Sequence, residues 1–290
     1  MSASRHLLAT QLGRVLLRLP RAFARLPDLH RGELLAAGAT HFAIDDGAGP
    51  RLDALRLPAS PAAPRGLPVV LVHGWLERKE WHREAVILSQ AGHEVVLFDQ
   101  PAHSRSGGDF STLGARERHD LRRVLDDAGR RGFLGPRVVT VGYSAGAATA
   151  LLHAVDDPRV AAVAAFGPFV DLAGGIRFMG SLFAPDVSLP WVTRGLAGAL
   201  GLAGHSLAEV DTLAAVRRLT VPVLFVAGDP RRGDTLGDQV KRLYDAKRHG
   251  FRRLVVIPGS SHFRLHRNGW PGVLRDFQAM LRAIPPRHDG

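Results

Sequence analysis

The sequence predicts an α/β fold, with a mostly parallel central sheet of about eight strands, helices on both faces and a helical lid insertion. Three observations support this prediction. From residue 40 onward, short apolar runs alternate with helical stretches, which is typical of buried parallel strands joined by helices. The chain has 290 residues, 46% of them hydrophobic, and can therefore bury one large core. The alternation breaks between residues 168 and 210, where we expect the insertion.

Residues 1–27 predict a basic amphipathic helix that precedes a single domain of residues 28–290. Apolar side chains recur at helical spacing on one face, and arginines occupy the opposite face. The apolar face contains Leu8, Leu12, Val15, Leu16, Leu19 and Phe23, and the basic face contains Arg14, Arg18, Arg21 and Arg25. Three interpretations stay open: contact with an anionic membrane surface, a targeting segment, and a terminal helix that packs on the body or is loosely ordered.

The domain is predicted to begin with a hairpin around the turn Asp46-Gly47, which joins strands at residues 40–44 and 51–57. A proline-rich connector follows at residues 58–68. Further strands are predicted at 69–72, 94–98, 137–141, 160–166, 221–227 and 252–257, and helices at 79–91, 113–129, 145–155, 238–249 and 269–283. Because helices separate these later strands, we expect them to be parallel.

The insertion at about 168–210 is rich in glycine, proline and large apolar residues. A stretch of this length inside a domain is usually functional, and a lid over a cleft accounts for its apolar character. The alternative is a helical insertion that caps the sheet without contacting a ligand.

Charge and cysteine content exclude several classes of protein. The net charge is +11, from 38 basic and 27 acidic side chains, and only Lys79, Lys241 and Lys247 are lysines. The arginines are scattered in pairs without interleaved aromatic residues for base stacking, so we expect no nucleic-acid partner. The chain contains no cysteine, which excludes disulfides, a thiolate nucleophile and cysteine-ligated metals.

The segment Gly142-Tyr143-Ser144-Ala145-Gly146 carries the strongest chemical signal. It follows a predicted strand and precedes a helix of small residues. A serine presented for attack stands on a tight, strained turn, where glycines two residues before and after it remove steric crowding. The positive end of the following helix also favours developing negative charge. Ser144 is therefore the candidate nucleophile.

A serine nucleophile needs a base and an oxyanion hole. His262 lies in a loop beyond the last predicted strand, from which its imidazole can return to Ser144, and His266 is the alternative one helical turn further on. These two histidines lack the HExxH pattern, so we expect no metal site. The candidate oxyanion donors are the backbone N–H groups of Ala145 and of Trp75, which follows a predicted strand.

The chain resembles the serine-nucleophile group of α/β-hydrolases over roughly residues 40–283. The resemblance rests on three motifs in the family's order: Leu71-Val72-His73-Gly74, Gly142-Tyr143-Ser144-Ala145-Gly146 and Gly259-Ser260-Ser261-His262. Esterases, monoacylglycerol lipases and serine-aminopeptidase-like members are the most similar. One loop departs from the family pattern Asp-x-x-Gly-His-Gly-x-Ser, because Ala102 and Ser104 replace both glycines. We expect this loop to be structural.

In the family that the chain resembles, the acid of the catalytic triad stands about three residues past the glycine that ends a core strand. Here that strand is residues 223–228, the glycine is Gly228, and the expected position holds Arg231. Asp229 is too early and Asp234 too late, so each requires an adjusted loop. Asp234 is favoured because an apolar residue then stands two positions after the acid, as is usual. Asp171, after the preceding strand, is a third option, for which a structural role is the simpler interpretation.

The resemblance implies a serine hydrolase that cleaves a carboxylic ester or related acyl bond through an acyl-enzyme intermediate, without a cofactor. The candidate pocket residues are Tyr143, Phe169, Phe178 and Met179, and an apolar lid favours a lipid-like or aromatic acyl substrate. The alternatives are an acyltransferase or thioesterase of the same fold, and a binding protein that kept the fold without the acid. We expect a cytoplasmic protein, with peripheral membrane contact only through the N-terminal helix.

Overall fold

A central sheet of eight strands organises the computed structural model, which describes residues 3–183, 189–229, 236–265 and 270–286. The strands are β1 (Thr40–Ile44), β2 (Leu52–Leu57), β3 (Val69–Val72), β4 (Val95–Phe98), β5 (Val138–Tyr143), β6 (Val160–Phe166), β7 (Val223–Gly228) and β8 (Arg252–Ile257). Their spatial order is β1-β2-β4-β3-β5-β6-β7-β8. The β1–β2 and β2–β4 pairs are antiparallel and all other pairs are parallel. The predicted hairpin and mostly parallel sheet are therefore confirmed.

Helices cover both faces of this sheet. They are α1 (Ala3–Ala22), α2 (Arg31–Ala36), α3 (Glu84–Gln90), α4 (Glu117–Arg130), α5 (Ala145–His153), α6 (Leu172–Phe183), α7 (Leu189–Leu202), α8 (Thr212–Arg218), α9 (Gly237–Ala246) and α10 (Trp270–Arg282). Side chains of α4, α5, α8 and α9 pack on one face, and those of α2, α3 and α10 pack on the other. In β3, Val70 and Val72 join the first core and Val69 and Leu71 the second, as the two-residue period of a strand requires.

Three helices, α1, α6 and α7, form a separate apolar layer that we call the cap. Their buried side chains, among them Leu17, Ile176 and Leu196, form a third core that also includes Ala145 at the start of α5. The cap therefore lies at the edge of the sheet where β5 ends. α6 and α7 occupy the region in which the sequence predicts an insertion.

α1 packs on α7 along a line that differs from the predicted apolar stripe. Ala9, Gly13 and Leu17, spaced four residues apart, are buried, whereas Leu8 and Val15 are 63% and 56% exposed. Leu8 and Val15, which belong to the predicted apolar face, therefore lie outside the line that packs on α7, because close packing selects small residues at the crossing point. No helix in the described part of the chain is both long and apolar enough to cross a bilayer. Contact of α1 with a membrane surface stays a prediction.

Candidate active site

Ser144 stands on the turn between β5 and α5, with φ 51° and ψ −116°. Such a left-handed φ is costly for a residue other than glycine and needs support from its surroundings. A Cβ on Gly142 would collide with the backbone of Gly146, and a Cβ on Gly146 would collide with the carbonyl oxygen of Val72. Both glycines therefore allow the close approach of strand and helix that holds the turn, and Ser144 lines a cavity there.

His262 lies on a short 3₁₀ helix after β8, with its Nε2 3.1 Å from Oγ of Ser144. In the tautomer that carries its proton on Nδ1, the imidazole accepts the hydrogen bond from the Ser144 hydroxyl. The ring packs edge-on against Phe178, with centroids 4.7 Å apart. Gly167 leaves room for it, since a Cβ there would lie 2.7 Å from Cε1 of His262. The structure thus brings these two candidate residues within hydrogen-bonding distance.

The three candidate acids have different surroundings. Asp229, buried at the end of β7, accepts a hydrogen bond from the Gly259 N–H at 3.0 Å, and its own N–H donates to the Ser260 carbonyl at 2.7 Å. These bonds fix the loop that carries His262. Asp171 accepts from the Gly174 N–H at 2.6 Å and so caps the start of α6. Asp234 lies outside the described residues, as does the alternative base His266.

The candidate oxyanion donors, Trp75 and Ala145, border the same cavity as Ser144. Ala145 is the first residue of α5, where main-chain N–H groups have no partner within the helix. Among the described residues, no hydrogen bond engages the main-chain N–H of either residue. Both groups are therefore available to a developing negative charge, which the positive end of α5 also favours.

Two histidines support the loop that carries Trp75. Buried His73 accepts a hydrogen bond from the Gln100 N–H at 2.9 Å, and burial holds its pKa well below the usual range. His103 Nε2 accepts from the Leu76 N–H at 3.3 Å. The backbone on either side of His103 has positive φ, 66° at Ala102 and 43° at Ser104. These are the two positions where glycine is usual, so the chain keeps the loop conformation at the expense of backbone strain.

A cavity of about 390 Å³ opens between Ser144 and the cap. Its lining is apolar and comes from all three cap helices and the loops after β3, β4, β5 and β6. The cap side consists of Leu12, Leu16 and Leu19 of α1, Phe23 directly after it, Leu172, Gly175, Ile176, Phe178 and Met179 of α6, and Val192 and Leu196 of α7; Phe169 also lines it. The α1 residues were not among the predicted pocket residues. The signal that could have found them is the helical spacing of their apolar side chains.

Tyr143 does not line this cavity, so its prediction as a pocket residue is wrong. Alternation along β5 directs Tyr143 to the face covered by α3 and α10, together with Val139 and Val141. Its ring stacks on Phe166 at 4.8 Å, and its hydroxyl accepts a hydrogen bond from the Trp270 indole at 2.6 Å. Burial raises the pKa of the Tyr143 hydroxyl well above its ordinary value.

A buried network of charged residues joins the Trp75 loop to this side of the sheet. Glu77 accepts a hydrogen bond from the Gly74 N–H at 2.6 Å and lies 3.5 Å from His82 Nε2. His82 Nδ1 is 2.7 Å from Glu84, and its ring packs on Tyr143 at 4.7 Å. Burial lowers the pKa of His82, but the carboxylates of Glu84 and Glu77 outweigh burial and raise it to about 10. The sequence offered no signal for this network, because charged residues usually face solvent.

Three buried carboxylates, of Asp53, Glu80 and Asp99, lie close enough together to suggest a metal site. The ammonium group of Lys79 lies among them, at 2.7 Å from Asp53, 3.1 Å from Glu80 and 2.5 Å from Asp99. Burial lowers the pKa of Lys79, but the carboxylates, Asp99 foremost, outweigh burial and raise it. The lysine therefore supplies the positive charge that a cation would provide.

The parallel sheet, the strained serine turn and the serine–histidine pair at the ends of its strands are together typical of hydrolases with a nucleophilic serine. The chain belongs to the alpha/beta hydrolase family, whose model matches residues 69–270. No curated protein matches the chain.

Solved structures share the fold at low sequence identity. The Pyrococcus furiosus esterase Pf2001 has a TM-score of 0.67 and 19% identity, over 87% of this chain and 95% of that one. DcsB, solved in complex with its substrate analogue, has a TM-score of 0.64 and 14% identity, over 86% and 100%. The proline iminopeptidase of Mycobacterium smegmatis has a TM-score of 0.62 and 15% identity, over 84% and 99%.

Proposed function

We propose that the protein is a serine hydrolase that cleaves carboxylic esters, with Ser144 as nucleophile and His262 as base. The observation that carries this proposal is the 3.1 Å separation of His262 Nε2 from Ser144 Oγ on a strained strand-to-helix turn. Proteins of the same fold include an esterase and a peptidase, which supports acyl-transfer chemistry. They do not distinguish an ester substrate from a peptide substrate.

Acylation begins when Ser144 Oγ attacks the ester carbonyl carbon while His262 Nε2 takes the hydroxyl proton. The carbonyl π electrons move to oxygen, and the main-chain N–H groups of Trp75 and Ala145 stabilise the oxyanion. When the carbonyl re-forms, the bond to the leaving alcohol breaks and His262 donates its proton to that oxygen. The acyl group is then bound to Ser144 as an ester.

Deacylation repeats these steps with water. His262 accepts a proton from water as the water oxygen attacks the acyl carbon, and the same two N–H groups hold the second oxyanion. His262 then returns the proton to Ser144 as the carboxylic acid leaves. An aspartate at His262 Nδ1 stabilises the charged imidazole; Asp234 and Asp229 remain the candidates, and the helix cap formed by Asp171 argues for a structural role.

A fluorophosphonate probe with peptide mapping, together with hydrolysis of p-nitrophenyl butyrate, tests this proposal. We expect the probe to modify Ser144, and Ser144→Ala to lower turnover by ~10³-fold or more. Ser206→Ala is the matched control, because Ser206 is exposed and lies in a loop after α7. Equal turnover by wild type and Ser144→Ala would contradict the proposal, and equal inertness of the two across acyl lengths would favour a binding protein.

Two further measurements resolve the finer alternatives. Adding an alcohol or thiol acceptor separates hydrolysis from acyl transfer, because a transferase forms the new ester or thioester faster than the free acid. Asp229→Asn and Asp234→Asn identify the acid, since loss of the orienting carboxylate lowers turnover by up to ~10⁴-fold.

A further inference from the structure

One side of the cavity beside Ser144 is formed by α1, which precedes the residues matched by the family model. Leu12, Leu16 and Leu19 of this helix, and Phe23 directly after it, border the same space as Ser144. α1 therefore adds a wall that the matched family region does not contain.

Several contacts hold α1 in place along its length. Gly13 and Gly195 bring α1 and α7 into close contact, since a Cβ on either residue would collide with the backbone of the other helix. The main-chain carbonyl of Leu17 accepts a hydrogen bond from the Ser111 N–H at 2.9 Å, and that of Phe23 accepts one from an arginine side chain at 3.0 Å. These contacts fix the position of α1, so that its inner face forms a stable wall of the cavity.

The lining of this cavity has the chemistry and the length of an aliphatic chain. Among the described residues, its only side-chain polar groups are the Ser144 hydroxyl and the Trp75 indole N–H. The lining positions extend from Leu12 of α1 to Phe23, whose N–H still donates to the Leu19 carbonyl, a span of about 16 Å at a rise of 1.5 Å per residue. An extended fatty acyl chain can follow such a wall, whereas one aromatic ring cannot reach along it. Each methylene buried there raises affinity about fourfold.

We propose that α1 is the wall of the acyl-binding site and selects unbranched fatty acyl chains as the substrate class. This proposal rests on the proposed esterase function for its catalytic readout. Leu16 lies in the middle of the wall and is half-buried, so a larger side chain there shortens the space available to the acyl chain.

The test compares Leu16→Trp with Val15→Trp, its neighbour on the exposed face of the same helix. Turnover is measured on p-nitrophenyl acetate, butyrate, octanoate and dodecanoate. We expect Leu16→Trp to lower the ratio of kcat/KM for dodecanoate to kcat/KM for acetate at least ~10-fold, while Val15→Trp keeps the wild-type profile. Leu16→Ala, which enlarges the site, is expected to shift the preference towards longer chains.

Binding of dodecanoic acid to the same variants, measured by calorimetry, separates this proposal from the esterase function. Weakened binding in Leu16→Trp alone supports the wall even if no ester is cleaved, in which case only the proposed function fails. Identical dodecanoate binding and identical chain-length profiles in Leu16→Trp and Val15→Trp would overturn the wall. Circular dichroism spectra of both variants establish that they are folded.

Discussion

The two sides of the Ser144 site are built on different principles. On the sheet side, buried charges and hydrogen bonds fix each loop, as with Glu77 on the Gly74 N–H and Asp229 on the Gly259 N–H. On the cap side, the lining is apolar and comes from three helices that pack through small and aliphatic residues. A hydrogen bond depends on direction and distance, whereas apolar packing depends mainly on volume. Changes on the sheet side should therefore affect every substrate, and changes in the cap should depend on substrate size.

The largest effect on the sheet side is expected from Lys79→Met. The substitution leaves the carboxylates of Asp53, Glu80 and Asp99 buried without their common cation, and removal of one partner from a buried ion cluster costs about 3–5 kcal/mol. Urea unfolding measures this loss. Lys241→Met is the matched control, because the Lys241–Asp245 pair is exposed and should contribute less than about 1 kcal/mol. Equal midpoints for the two variants would show that the buried cluster contributes no more than a surface pair.

A smaller effect, on catalysis, is expected from Glu77→Leu. Without the carboxylate the Gly74 N–H loses its acceptor, and the Trp75 loop is no longer held beside Ser144. Displacement of a catalytic group by about 1 Å can lower the rate ~10²-fold. We expect kcat to fall by about that factor for acetate and dodecanoate esters alike, with little change in KM.

Glu77→Gln provides the control for this positioning role, since its amide oxygen can still accept the Gly74 N–H. It should retain most of the activity that Glu77→Leu loses. A fall confined to long-chain esters would place Glu77 in substrate binding and contradict the division between sheet side and cap.

On the sheet side, the strands and the serine turn could be predicted from the sequence, whereas the buried side-chain contacts could not. Strand runs such as Val69–Val72 and the glycines around Ser144 are local patterns, so the sheet and the turn follow from them. The pairing of Lys79 with Asp53 and with Asp99 joins segments that are distant in sequence and meet only after folding. No periodicity encodes such contacts, and buried charges look the same in sequence as exposed ones.

In the cap, the sequence predicted the helix but not which of its faces is buried. Helical spacing in residues 8–23 predicted an amphipathic helix, but the line that is buried was decided by Gly13, which meets Gly195 of a distant segment. Glycine is unfavourable in helices and carries no hydrophobic signal. The error on Tyr143 has the same origin, because the face of the sheet towards which a strand end points depends on the helices that cover it.

In the cap, Gly195→Ala should act on long substrates only. Its Cβ would collide with the backbone of α1, and overpacking of this kind costs about 1–3 kcal/mol. We expect α1 to move away from α7, so that dodecanoate turnover falls while acetate turnover is kept. Hydrogen exchange should show loss of protection in α1 without change in the strands.

Gly201→Ala on the same helix is the control, because a Cβ there meets no atom within 4 Å. This variant should match the wild type in exchange and in chain-length profile. Parallel losses of acetate and dodecanoate turnover in Gly195→Ala would show that the cap also positions the catalytic groups.

The last predicted effect is a pH dependence of stability that the sheet side has and the apolar cap lining lacks. Glu84 and Glu77 raise the pKa of His82 in the folded protein to about 10, against about 6.5 when unfolded. The stabilisation from charged His82 is therefore complete below about pH 6.5 and is lost progressively as the pH rises towards 10. His82→Asn keeps a hydrogen-bond donor for Glu84 but cannot carry the charge. Urea midpoints of wild type and His82→Asn, measured from pH 6 to pH 10, should converge as the pH rises, because other titrating groups cancel in the comparison. A constant difference across this range would show that His82 is neutral in the folded protein, and that a hydrogen bond alone holds this part of the sheet side.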